Sequence, residues 1–147
     1  MENPKYEEAL NCLLCGPPAT VIEMLVRFAE RAADAVGYHA PTRERGVAAA
    51  MAWAGNPSHE NVRGCQKALF WNDASNDGYG YAVQAVAFTV RAAYAYGITD
   101  RDAAMYARVA AASAVAAYTP EGRLSKNREE ERQIHQIDSV GTSLKSK

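Results

Sequence analysis

The chain has 147 residues, a formal net charge of -1 and a pI near 6.3. That length predicts one domain with a core of useful size, and that charge balance excludes a general nucleic-acid binder, which would carry a basic face. The 29 alanines, and apolar residues that never fall into alternating runs, predict an all-α fold.

Asn3 and Pro4 are suited to cap and start a first helix running to Cys15, with Leu10, Leu13 and Leu14 as its apolar stripe. Gly16-Pro17-Pro18 breaks it. The spacing of Val21, Met24, Leu25, Phe28, Ala32 and Ala35 predicts a second helix over 18–36 with one buried face. Its wet face is Glu23, Arg27, Glu30, Arg31 and Asp34. Gly37 ends it. A third helix is expected from Pro41 to Ala54, with Val47, Ala50, Met51 and Ala54 inward and Gly55 as the stop. Asn56-Pro57-Ser58-His59-Glu60 reads as the start of a fourth, with Asn56 as cap, running to Asp73. Val62, Cys65, Leu69 and Phe70 would point inward.

The stretch 72–80 is a polar turn. From Tyr79 to Ala117 the chain is almost wholly Ala, Val, Tyr and Phe, and its formal charges are Arg91, Asp100, Arg101, Asp102 and Arg108. Two helices, at 81–96 and 100–118, are expected to form a central hairpin, with Thr99 or Asp100 capping the second. Gly97 to Asp102 interrupts the block, so neither half reaches the roughly twenty apolar residues of a membrane span. A charged helix from Leu124 to Asp138 closes the domain, docked by Leu124, Ile134 and Ile137. The acids Glu129 to Glu131, like Glu7 and Glu8, are expected on exposed helix faces. The whole is an Ala-rich bundle of about six to seven helices, with one domain over 1–138 and a disordered tail over 139–147. The large residues Phe28, Trp53, Phe70, Trp71, Phe88 and the tyrosines carry its core.

The start of the chain lacks the basic and apolar stretches of a signal peptide, and three cysteines suit a reducing setting, so a cytoplasmic location is expected. Cys12-Leu-Leu-Cys15 has zinc or redox spacing, but no second pair among Cys65, His39, His59 and His135 matches it. Asp73, Ser75, Asp77 and Gly78 follow a calcium-loop pattern. Gln84 at the twelfth place cannot supply the bidentate carboxylate, and Gly80 stands where an aliphatic anchor is usual. Ordinary turn chemistry explains the same residues. Neither a metal nor a cofactor is expected. No Ser, Cys or Thr sits in a recognisable nucleophile context, so the expectation is a protein without enzymatic activity.

Gln84 and Arg91 lie seven apart on an otherwise apolar helix, where a charge must be paired or open onto a groove. With Tyr94 they form one candidate site, for a phosphate-bearing, nucleotide-like ligand that Arg geometry suits, as in a sequestering protein of a phage–host conflict. The competing reading is a buried pair that organises the bundle. The other candidate is the polar turn, where Trp71, Tyr79 and Tyr81 would anchor a protein partner and Asp73 and Asp77 would complement its basic surface.

Ala29-Glu30-Arg31, Pro41-Thr42-Arg43-Glu44-Arg45, Ala52-Trp53-Ala54, the Ala-rich stretch Tyr81 to Ala117, and Glu131-Arg132-Gln133 follow one another in order. That order, over about residues 25–135, resembles the all-helical immunity proteins of bacterial polymorphic-toxin systems, the fifth immunity class. The resemblance implies a cytoplasmic protein that binds and neutralises a cognate toxin or effector, with no catalytic residues to carry over. A homo-oligomer is a further option. The long polar turn at 71–81 and the first helix with its CxxC depart from the pattern.

Overall fold

In the computed structural model, residues 3–70, 77–118 and 123–145 are described, with side chains in the last stretch from 127 to 139. Among them every regular element is helical: α1 (Pro4–Leu14), α2 (Pro18–Val36), α3 (Pro41–Gly55), α4 (His59–Ala68), α5 (Gly78–Gly97), α6 (Ala103–Ala116) and α7 (Arg123–Lys145). The boundaries follow local chemistry. α1, α2 and α3 each begin with a proline, whose fixed φ suits the first turn and whose missing N–H is not needed there. Asn3 caps α1 by accepting from the Tyr6 amide. α2 ends at Gly37, whose φ of 73° is left-handed and costs a glycine little.

Three starts differ from the sequence reading by more than one residue. α5 begins at Gly78 and not at 81, because the Asp77 side chain caps it by accepting from the Gly80 amide, so the expected polar turn gives up 78–80 to the helix. α4 is capped by Ser58, whose hydroxyl accepts from the Asn61 amide, and not by Asn56. Asn56 instead closes α3, its amide donating to the Ala52 carbonyl. α4 also stops at Ala68 rather than Asp73. α6 starts after Asp102, not at Thr99 or Asp100. Asp100 turns its carboxylate onto the Asp102 amide, and Thr99 takes a left-handed φ of 54° in the tight turn. α7 continues to Lys145, past the Asp138 end and into the segment expected as a tail.

α5 is the hub. It packs on α6 most extensively, and also on α2, α3 and α4. Its buried residues, Ala82, Ala85, Val86, Ala87, Thr89, Val90, Ala92, Ala93 and Ala95, cover most of its circumference, as a central helix requires. α6 offers a stripe of Ala103, Ala107, Ala110, Ala111, Ala114 and Ala117. Small side chains on both helices let the backbones approach. At Gly78 the approach is closest: a Cβ there would lie 2.5 Å from the Ala117 carbonyl oxygen.

Alanines bury little area each, at roughly 25 cal/mol per Å². The larger core volume comes from Phe28, Ile22, Met24, Leu25 and Val21 of α2, with Leu10, Tyr38 and Trp53. Phe70 and Phe88 are only partly buried, and Trp71 lies outside the described residues. Three residues expected inward, Ala35, Met51 and Leu69, are exposed. Ala35 sits in the last turn of α2, beyond its buried stripe. On α3, Trp53 takes the inward position instead of Met51. Leu69 follows the end of α4, where helical periodicity no longer directs it. α7 packs mainly on α1, at the edge of the bundle away from α5.

Candidate functional site

Of the turn residues expected to meet a partner, Trp71 and Asp73 lie outside the described residues. Asp77 and Tyr79 are at the start of α5. The Asp77 carboxylate accepts from the Gly80 amide at 2.8 Å and so fixes the first turn. That role occupies an oxygen that the calcium-loop pattern would need. Tyr79 is 46% exposed. Its ring meets the edge of Tyr38 at a centroid distance of 5.5 Å and 69° between planes. Tyr38 is itself buried and shares a 2.6 Å hydrogen bond with Thr42. Burial pushes the Tyr38 hydroxyl above its ordinary range, so it stays neutral. Tyr81 does not join this corner as an exposed anchor; it is half-buried and packs on the core.

The structure puts Gln84 and Arg91 on the α5–α6 seam. Gln84 Nε2 donates to Ser113 Oγ at 3.1 Å, and the Arg91 guanidinium stands 5.2 Å over the Tyr106 ring. Both pairs fit a single antiparallel register, because Tyr106 and Ser113 are also seven apart. Phe88 packs on Tyr106 from the same side, at 6.1 Å. The polar intrusion in the apolar helix therefore pins the hairpin. Tyr94 is half-buried beside the core.

Two ionic networks were hidden in the sequence. In the first, Arg43 is buried and spends its donors on Glu30 (2.7 Å), Asp34 (2.7 Å), the Tyr38 carbonyl (2.8 Å) and His39 Nδ1 (3.0 Å). It lies between two α2 acids whose spacing alone would make them repel. The hydrogen bond to Glu30, opposed by burial, holds the guanidinium even more firmly charged.

The second network overturns the expectation of a wet face at Glu129, while Glu131 is exposed as expected. Glu129 is 0% exposed. It receives both Nε (2.6 Å) and Nη2 (2.7 Å) of Arg31 in a two-pronged bridge from α2 to α7. Gln133, one turn on and equally buried, donates to Glu129 at 3.1 Å and accepts from the Tyr6 hydroxyl at 2.6 Å. Burial, then the nearby Glu130, Glu129 and Glu7, raises the Tyr6 hydroxyl far above its ordinary range. α1, α2 and α7 thus meet through polar groups, with Ile137 as the fully buried apolar contact from α7. Arg108, its side chain exposed on α6, donates to Glu7 at 3.1 Å and also bonds Asn11, tying α6 to α1.

Beside the Arg31–Glu129 bridge, α2 and α7 leave an open cleft of about 410 Å³, lined by Arg31, Arg128, Glu131, Arg132, His135 and Gln136. Arg128 and Arg132 are one turn apart and exposed. Among the described residues no group of three His, Cys, Asp or Glu side chains converges as metal ligands. Cys12 and Cys15 are exposed and unbonded, and Cys65 is buried. No described helix is long and apolar enough to cross a membrane. In comparisons with known proteins, no family model, no characterised protein and no solved structure matches this chain.

Proposed function

We propose that the chain is a binding domain without enzymatic activity that engages another protein at the start of α5, as an immunity or inhibitor protein engages a toxin or effector in the cytoplasm. The observation that carries this reading is Tyr79, an exposed aromatic braced from behind by a buried one. Interface energy concentrates in a few aromatic and Arg anchors, and an anchor already held in place loses less side-chain freedom on binding. Asp77 beside it is exposed and brings negative charge, which suits a basic partner surface. The toxin-neutralising role itself rests on the order of sequence features described above.

The test is co-purification from the native host with the full chain as bait, in parallel with Tyr79→Ala. A protein retained by the native chain and reduced at least tenfold by Tyr79→Ala, at an unchanged helical content, supports the reading. The tenfold loss corresponds to about 1.4 kcal/mol, at the low end for an anchor. Equal retention by Tyr79→Ala removes this surface from consideration.

A further inference from the structure

We infer that the cleft between α2 and α7 binds a small phosphate monoester. The two bridged arginines differ in how much of each is left open. Arg43 is saturated: four protein acceptors surround it, and its side chain is 10% exposed. It is a structural pin. Arg31 is held differently. Glu129 grips it along one edge through Nε and Nη2, from a position with no solvent access, and a quarter of the side chain stays open. A guanidinium carries five N–H donors in a rigid plane, so fixing one edge fixes the direction of the others. The Phe28 ring lies 5.8 Å from its carbon and limits its swing from below. Arg31 is therefore an oriented donor at the wall of a cleft.

Arg128 and Arg132 face the same cleft from α7, and neither has a place in the buried network. Among the described residues Glu131 is the one acid in the lining. Three Arg against one Glu leave a lining charge of +2, which the buried Glu129 reduces to +1 when its field is included. His135 adds a donor, and Gln136 adds an amide. A phosphate monoester brings a charge of about -1.5 to -2 and three acceptor oxygens, which matches forked donors approaching from two helices. The cleft volume falls at the lower end of the range of about 300–1,000 Å³ for small-molecule sites, room for a phosphate and a compact organic body. None of the lining residues belongs to the Tyr38–Tyr79 pair, so the ligand is independent of the proposed protein partner.

The experiment is titration calorimetry of the full chain with phenyl phosphate. Citrate serves as a carboxylate probe, and a short single-stranded oligonucleotide as a polymeric phosphate. Saturable binding of phenyl phosphate is expected, with affinity reduced at least tenfold in Arg128→Ala/Arg132→Ala. Both side chains are exposed, so the double variant should unfold at the same urea concentration as the native chain without ligand. Arg128→Lys/Arg132→Lys keeps the charge, loses the forks, and is expected to fall between. The site is overturned if phenyl phosphate fails to bind at millimolar concentration, or binds the double Ala variant undiminished. Citrate binding as tightly would overturn the phosphate assignment, and preferential binding of the oligonucleotide would overturn the small-molecule one.

Discussion

The α5–α6 seam and the α1–α7 seam solve the same problem with opposite materials. Between α5 and α6, alanines bring two backbones together, and the polar pairs Gln84–Ser113 and Arg91–Tyr106 add only register. Between α1 and α7 the order is reversed. Tyr6 of α1 reaches Gln133, Gln133 holds Glu129, and Arg31 joins the chain from α2, while Ile137 adds apolar burial. Close packing tolerates the loss of one polar rung, because every alanine around it still excludes water. A buried hydrogen-bonded chain does not tolerate such a loss, because each member satisfies its neighbour. The dry seam is robust to polarity changes and sensitive to volume. The polar seam is the reverse.

The largest effect should come from breaking the polar seam at its centre. Glu129→Ala leaves Arg31 and Gln133 without their shared acceptor, and should lower unfolding stability by about 3 kcal/mol in urea titration. Arg31→Met/Glu129→Leu, which removes both charges together, should recover most of that loss. If the double variant is as unstable as the single one, the seam depends on its ionic character and not merely on satisfied groups. Next in size is a volume change in the dry seam. Gly78→Ala sets a Cβ against the Ala117 carbonyl and should cost about 2 kcal/mol, since backbone must move. A neutral result there would mean that the hairpin is less tightly closed than its geometry implies.

The smallest effect separates the two halves by pH. Cys65, in α4 behind α3, donates to the Ala49 carbonyl at 3.4 Å, and burial pushes its thiol from 9.0 up to about 11. The folded chain keeps this proton longer than the unfolded one. The stabilisation is therefore complete below pH 9 and is lost as pH rises towards 11. By pH 10 the loss from this group should be about 1 kcal/mol, read from the urea midpoint, and Cys65→Val should remove that part of the slope. An unchanged slope in Cys65→Val would assign alkaline loss to the tyrosines, of which Tyr6 belongs to the polar seam.

Local chemistry made much of the fold legible. α2 was readable from Pro18 to Val36 because proline, stripe and terminal glycine all agree. The start of α4 was not, because Asn56 and Ser58 are both good caps and only the path of α3 decides between them. At the candidate site, Tyr79 was visible as an aromatic in a polar turn. Gln84 and Arg91 were visible as a pair, but their seven-residue match to Ser113 and Tyr106 needed the hairpin. Glu129 was illegible. A run of three glutamates reads as wet, and its partner Arg31, on a charged helix face, is 98 residues away. Burial of a charge by a distant partner leaves no periodic trace.

That distance has a temporal side. The hydrogen bond from Tyr6 to Gln133 spans 127 residues of chain. Contacts of such separation close late, because the intervening chain must be ordered before they repay their entropy. During synthesis α1 and α2 emerge before α7, so the Tyr6 hydroxyl and the Arg31 guanidinium wait for their α7 partners. The α5–α6 hairpin, made of neighbours in sequence, can assemble meanwhile. α7 thus acts as a completion check: only a chain that has been read through to Gln133 gives the buried Tyr6 hydroxyl its acceptor.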